Sequence, residues 1–163
     1  MYSIKQAQLL MGALPLADIT IYYMNIRSFG KGFEEFYQRA KGMGVQFIKG
    51  KVAKLDEIDD GNLNLRYEDV IAGKVKEAKH DMVVLSTGIL PNLDINGIFN
   101  DTPVQLDKFN FVKQVDELIS PAETSINGVF VAGTASGPKD IPDTILSAGG
   151  AASEAASYLR RLK

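Results

Sequence analysis

The spacing of apolar residues changes several times along the first ninety positions, and each change predicts an element. Residues 2–14 (YSIKQAQLLMGAL) favour a helix, which Pro15 stops. Asp18 to Ile26 (DITIYYMNI) is rich in β-branched and aromatic residues and predicts a strand. Arg27-Ser28-Phe29-Gly30-Lys31-Gly32 is a turn. After it Phe33, Phe36, Tyr37 and Ala40 recur at i, i+3, i+4 and i+7, one face of a helix that Gly42 and Gly44 end. Val45 to Leu55 returns to a strand pattern, which completes a βαβ unit and implies a parallel pair with a right-handed crossover. Leu63, Leu65 and Tyr67 then alternate strictly with polar residues between the turn signals Asp59-Asp60-Gly61-Asn62 and Ala72-Gly73-Lys74. Residues 51–80 therefore predict an antiparallel meander with one wet face. Met82 to Leu85 is a continuous apolar run, as expected of a strand buried on both faces.

The character changes from Gly88 onward. Ile89-Leu90-Pro91-Asn92 breaks regular structure, and about thirty residues of loops and short elements follow. Gly128 to Gly133 (GVFVAG) predicts a second buried strand. Pro138 and Pro142 bracket a loop, and Asp143 is the expected N-cap of a helix running to Leu162. On that helix Ile145, Gly149, Ala152, Ala156 and Leu159 share a face, small enough at its centre for another backbone to approach closely.

Composition narrows the chemistry. The 163 residues, 45% hydrophobic and 23% charged, suit one domain or two small ones. A net charge of −2 without a basic run gives no nucleic-acid footprint, and Arg160, Arg161 and Lys163 fit the last turn of a helix. No apolar run approaches the roughly 20 residues of a membrane span, and no secretory signal opens the sequence, so a cytoplasmic protein is expected. Cysteine is absent, which excludes from this chain a disulfide framework and thiolate-held iron–sulfur clusters. His80 is the single histidine, so a zinc site is not expected. Electron transfer here would need an organic cofactor.

Two segments carry the candidate chemistry: Asp81–Thr87 with Gly88, and Thr124–Val131 with Ala132, Gly133 and Thr134. Each is an apolar strand ending in small residues, where backbone can come close to a ligand. Either one alone reads as a buried strand with a turn. The helix expected at Asp143 adds a partial positive charge and unpaired N–H groups at its mouth. Lys139, just before it, is by itself a solvated loop lysine; beside a ligand at that mouth it would add a full charge or a hydrogen bond. Arg27 and Lys31, at the end of a parallel strand, are candidates for an anionic nucleotide or an acidic partner. The Gly30-Lys31-Gly32 turn lacks P-loop spacing and reads more simply as a strand-to-helix turn. Tyr22, Tyr23, Phe33, Phe36 and Tyr37 read as core, and His80 as an exposed strand end without a catalytic claim.

The order and spacing of the two segments resemble the two-dinucleotide-domain flavoproteins, the family of thioredoxin reductase and glutathione reductase. Thr134 stands where that family carries an aspartate to the ribityl chain. Gly137-Pro138-Lys139-Asp140-Ile141-Pro142-Asp143-Thr144, together with Arg27–Tyr37 and the opening Met1–Ala7, resembles more narrowly the flavoprotein, or A-type, component of the heterodisulfide reductases. The resemblance implies FAD, contacted by Thr87, Gly88, Gly133, Thr134, Lys139, Asp140, Ile141, Pro142, Asp143 and Thr144, with Lys139 tuning the flavin. It also implies other heterodisulfide reductase subunits and a hydrogenase or ferredoxin-type electron donor as partners. Iron–sulfur clusters are implied for a parent protein only.

The implied fold class is α/β: a partial two-dinucleotide-domain flavoprotein fold, a parallel βαβ sheet plus an antiparallel meander, closed by a strand and helix of an FAD domain. Residues 1–88 are expected to finish an inserted nucleotide-binding-type domain and 89–163 to finish the FAD domain. The G-x-G-x-x-G turn that admits a pyrophosphate is not in the sequence. The chain is accordingly expected to be an excised segment that does not hold FAD tightly, is inactive alone, and can cover exposed edges by forming a homodimer. The alternatives are a segment of an NAD(P)H-dependent flavoprotein disulfide or ferredoxin reductase, and a non-catalytic docking module for electron-transfer subunits.

Overall fold

The computed structural model describes residues 1–98 and 103–162, which form two compact units, Met1–Ser86 and Thr87–Lys163. Positions 99–102 of the irregular stretch, and Lys163, lie outside the described residues.

The first unit contains α1 (Tyr2–Ala13), β1 (Thr20–Tyr23), α2 (Phe33–Gly42), β2 (Gln46–Glu57), β3 (Leu63–Asp69) and β4 (Lys74–His80). The strands form one sheet in the order β1-β2-β3-β4. β1 and β2 are parallel, with Ile21 opposite Phe47, while β2–β3 and β3–β4 are antiparallel. β2 therefore does two jobs, its first part closing the βαβ unit and its remainder opening the meander. The changeover falls at Gly50, where a Cβ would lie 2.2 Å from the Glu68 carbonyl oxygen, so only glycine fits. Ile4 and Ala7 of α1, Tyr37 and Ala40 of α2, and Val45 form the core, with Ile21, Phe36 and Phe47 packed against it. Burial of a large apolar side chain in such a cluster contributes roughly 1.5–3 kcal/mol. α2 begins with Glu34 and Glu35 and ends with Arg39 and Lys41, charges that complement its dipole at both ends.

The second unit has little regular structure before its last helix. A 3-10 turn covers Leu93–Ile98, and isolated antiparallel bridges join Leu106 to Val112, Asp116 to Ser120 and Glu123 to Phe130. A second 3-10 turn, Gly133–Ser136, leads into α3 (Ile141–Arg161). Val104, Val112 and Val131 are buried together, with Ile95, Leu106 and Ile126 against them.

Four expectations need correction. Met82–Leu85 is not a buried strand: Met82, Val84 and Leu85 are 77%, 64% and 72% exposed, and among the described residues no strand pairs with them. An apolar run becomes a buried strand only where neighbours take its backbone hydrogen bonds. The second expected strand shrinks to the Glu123–Phe130 bridge and the Val131 N–H bond to the Ala122 carbonyl at 2.8 Å, although Val131 is buried. α3 starts at Ile141 with Asp140 as its N-cap, not at Asp143, because Pro142 is well placed in a first turn, where no N–H is required. Finally, Ile145, Gly149, Ala152, Ala156 and Leu159 form the exposed side of α3; the sheltered side is Thr144, Ser147, Ala151, Glu154, Ala155 and Tyr158.

Candidate functional site

The chemistry-bearing residues of the second unit gather at the start of α3. A cleft of about 560 Å³ opens there, walled by Gln114, Glu117 and Pro121 on one side and by Ser136–Lys139, Asp143 and Ser147 on the other. The first wall is a small hairpin fastened by Asp116, whose Oδ1 accepts the N–H groups of Leu118 and Ile119, each at 2.8 Å. Those two bonds, Ile119's first, hold the Asp116 carboxyl below its ordinary range.

The second wall is organised around the Gly133 peptide. Gly133 has φ +64°, a conformation costly for any residue with a Cβ, and a Cβ would also meet Thr144 Cγ2 at 3.2 Å. Its N–H donates to Ser147 Oγ at 3.0 Å. Its carbonyl accepts from Lys139 Nζ and from Ser136 Oγ, both at 3.2 Å, and Lys139 Nζ also donates to Ser136 Oγ at 2.7 Å. Lys139 is thus no free loop lysine: its ammonium, at the wall of the cleft, donates to two acceptors within the loop, and no third acceptor is found among the described residues.

The helix mouth is narrower than the sequence suggested. Asp140 Oδ1 takes the Asp143 N–H at 2.9 Å, the Asp140 carbonyl takes that of Thr144 at 2.9 Å, and Pro142 has none. The first turn therefore leaves the Ile141 N–H for a ligand. Asp140 and Asp143 are exposed and place carboxylates beside the mouth, so the cleft offers a mixed field with Lys139 as its cation.

Of the residues singled out from sequence, Lys139 and Asp143 line the cleft, Gly133 and Thr144 support its wall, and Asp140, Ile141 and Pro142 build the helix start. Thr134 is exposed in the adjoining turn. Thr87 and Gly88 are exposed and do not line the cleft. Ser136 and Ser147 were missed. Ser136 stands three residues before Lys139, a spacing that a turn brings together, whereas nothing in the sequence marks Ser147 among the other small residues of α3. A smaller hollow of about 300 Å³ lies between the Thr124–Phe130 turn and the end of α3, where Arg161 pairs with Glu123 at 3.7 Å; no expected site residue lines it.

In the first unit Arg27 and Lys31 are exposed and make no ion pair among the described residues. Tyr37 is buried and Tyr22, Tyr23 and Phe36 are half-buried, but Phe33 is exposed, its ring occupying the space where Gly30 lacks a side chain. His80 is half-buried rather than exposed, its Nε2 2.9 Å from the Tyr22 hydroxyl. Among the described residues no cluster of His, Asp and Glu could hold a metal ion, and no helix is long and apolar enough to cross a membrane.

A family model described as pyridine nucleotide-disulphide oxidoreductase matches residues 17–161. The chain is 42% identical over 157 residues to the A component of the H(2):CoB-CoM heterodisulfide,ferredoxin reductase of Methanothermobacter marburgensis. It is 41% identical over 155 residues to the iron-sulfur A component of the CoB–CoM heterodisulfide reductase of Methanocaldococcus jannaschii. These matches cover 96% and 94% of this chain but 24% of each relative, so the chain spans about a quarter of their length. Lactococcus lactis thioredoxin reductase in its FR conformation superposes with a TM-score of 0.69 at 20% identity, over 97% of this chain and 50% of that one. The thioredoxin reductase of T. acidophilum gives 0.60 at 19% identity, over 90% and 45%. The partial two-dinucleotide-domain flavoprotein fold expected from the sequence is the fold found, with its mixture of parallel and antiparallel strands.

Proposed function

Because this chain belongs to the pyridine nucleotide-disulphide oxidoreductase family, we propose that it is a segment of an FAD-dependent electron-transfer protein, the A-type component of a heterodisulfide reductase. The observation that carries the reading is the Lys139 ammonium, fixed at the α3 mouth with donor capacity left for a ligand.

The residues fit the ring of a flavin better than its pyrophosphate. The cleft has room for a ring edge, and its Lys139 ammonium matches the electron-rich heteroatoms of that edge, while the Ile141 N–H stands at the adjoining helix start. A pyrophosphate needs several converging N–H groups, and the α3 mouth spares one. FAD, when bound, would supply the capacity to take up and release two electrons. The chain's share is to orient and to set charge. Lys139 and the positive end of α3 favour negative charge in the cleft, which makes a ligand there easier to reduce. Thr134 is available to hold a ribityl hydroxyl, and Thr87 and Gly88 to approach the ring from the preceding segment. The cytoplasm is the compartment proposed.

The name of the Methanothermobacter marburgensis relative carries hydrogen and ferredoxin, and for this chain we extend that to docking with a hydrogenase or ferredoxin-type electron donor and with further reductase subunits. Self-association is proposed as well, because the apolar side of α3 is exposed, and light scattering at low concentration measures it. The decisive experiment replaces Lys139 by methionine in a flavin-loaded protein that includes this segment. A lower flavin reduction potential is expected; an unchanged one removes Lys139 from the site. For the chain alone, equilibrium dialysis is expected to show weak FAD binding and no disulfide reduction; a stoichiometric yellow chromophore on purification contradicts this.

A further inference from the structure

We infer that Ser136 is the positioning residue of this cleft, the group that fixes where the Lys139 ammonium points. The hydrogen bonds admit one consistent arrangement. The Ser136 hydroxyl proton goes to the Gly133 carbonyl at 3.2 Å, so the Ser136 oxygen is an acceptor towards Lys139, and the 2.7 Å separation is that of a short charge-assisted bond. The ammonium spends its second proton on the same Gly133 carbonyl, at 3.2 Å. Three groups thus close a triangle, which holds the ammonium at the wall of the cleft that Lys139 lines and leaves it donor capacity for a ligand there.

The triangle is anchored rather than floating. Gly133 is held from its other side by Ser147 Oγ on α3 at 3.0 Å, and the turn carrying Ser136 is held through the Ala135 carbonyl, which accepts the buried Val112 N–H at 2.9 Å. A lysine left to itself carries large rotamer freedom, of the order of 2 kcal/mol. Here that freedom is restricted before any ligand arrives, which is what preorganisation of a donor requires. Serine suits the position because it donates and accepts at once; alanine would leave the Gly133 carbonyl and the ammonium short of a partner. The acceptor that this remaining donor capacity suits is an electron-rich ring nitrogen or carbonyl oxygen. The identity of that acceptor rests on the flavin reading; the tether does not.

Competitive acetylation of the chain with isotope-coded acetic anhydride, read by mass spectrometry, reports each lysine separately. Lys139 is expected to react several-fold more slowly than the exposed Lys113. Ser136→Ala is expected to speed Lys139 roughly threefold to tenfold, the range for one lost hydrogen bond, leaving Lys113 unchanged, and Ser136→Thr to restore the slow rate. Lys139 reacting like Lys113 in the native chain, or indifferent to Ser136→Ala, overturns the inference, and the native measurement stands even if that variant fails to fold. In the flavin-loaded protein Ser136→Ala is expected to move the flavin potential in the same direction as Lys139→Met, and by less. Tethering intact while Lys139→Met leaves that potential unmoved keeps the positioning of Lys139 and discards the flavin reading of the cleft.

Discussion

Asp140 Oδ1 accepts the backbone N–H of Asp143 at 2.9 Å, so the second aspartate of the Asp140-Ile141-Pro142-Asp143 run is the capped residue and the first is the cap. The two side chains are otherwise alike, both exposed, which makes them a controlled pair. Asp140→Ala is expected to lower the stability of the second unit by about 1 kcal/mol, the usual cost of a lost N-cap. Asp143→Ala loses only an acidic charge in the first turn, worth about 0.3–1 kcal/mol and diminished by salt. Urea unfolding at low and high salt separates them: the Asp140 effect persists and the Asp143 effect fades. Equal, salt-sensitive losses would show that neither side chain caps the helix.

Two glycines give opposite outcomes on alanine substitution. At Gly50 the new Cβ would sit 2.2 Å from the Glu68 carbonyl oxygen, a backbone atom held in the sheet, so the strands must part. Gly50→Ala is expected to cost roughly 1–3 kcal/mol. Gly12 lies inside α1 with nothing within 4 Å of its Cβ position, so Gly12→Ala removes freedom from the unfolded chain without a clash. A gain of about 0.4–1 kcal/mol is expected there. Thermal unfolding followed by circular dichroism reads both signs, and a neutral Gly50→Ala would mean the β2–β3 pairing can relax at the changeover.

What the sequence made legible depends on whether an element's partner is local. The meander was readable because each strand pairs with the next: the alternation at Leu63, Leu65 and Tyr67 fixes a buried face, and Leu65 and Tyr67 are buried. α2 was readable for the same reason, its Tyr37 and Ala40 meeting the sheet that flanks it. Met82–Leu85 failed because apolar content says nothing about whether a neighbour exists to pair with. α3 failed more instructively. Its most apolar stripe, through Ile145 and Leu159, faces outward, while polar and aromatic contacts join the helix to its unit, Ser147 to Gly133 and Tyr158 edge-on to Phe130 at 5.9 Å. A hydrophobic pattern cannot find a face that packs through hydrogen bonds. Of the candidate site, the Lys139 loop was legible as a motif, but the Ser136 and Ser147 bonds that organise it needed coordinates.

Acid is expected to weaken the meander through two aspartates. Lys79 first, then Asn62, holds the Asp60 carboxyl down to about 2, and Lys76 first, then the Ala72 N–H, holds Asp69 below its ordinary value. A carboxyl whose folded value is depressed gives stability that is complete above the unfolded value, about 3.9, and is lost as pH falls through the folded value. The first unit should therefore keep its urea midpoint down to about pH 4 and lose it steadily towards pH 2. Asp60 is exposed and Asp69 half-buried at the surface, and both pair with exposed lysines, so the effect is modest and shrinks in salt. Asp60→Asn with Asp69→Asn is expected to flatten this limb; an unchanged acid limb in the double variant would assign it to other carboxylates.

The alkaline limb tests the aromatic end of the same sheet. The Tyr22 hydroxyl lies 2.9 Å from His80 Nε2, and its ring meets that of Tyr67 edge-on at 4.8 Å. Burial first, then the neighbouring Tyr67, pushes the Tyr22 phenol above its ordinary value. A group raised in the folded state gives stability that is complete below the unfolded value, about 10, and is lost as pH rises through the folded one. Tyr22→Phe keeps the ring contact and removes the hydroxyl, so a loss of about 1 kcal/mol at neutral pH is expected, with a shallower decline above about pH 10. Tyr22→Ala also removes the ring packing of this half-buried side chain and should cost more than Tyr22→Phe. Urea midpoints for the three proteins across pH 7 to 11 decide the matter. A Tyr22→Phe protein as stable as the native one, falling with the same alkaline slope, would show that the ring alone holds β1 to the meander and that the His80 bond adds nothing.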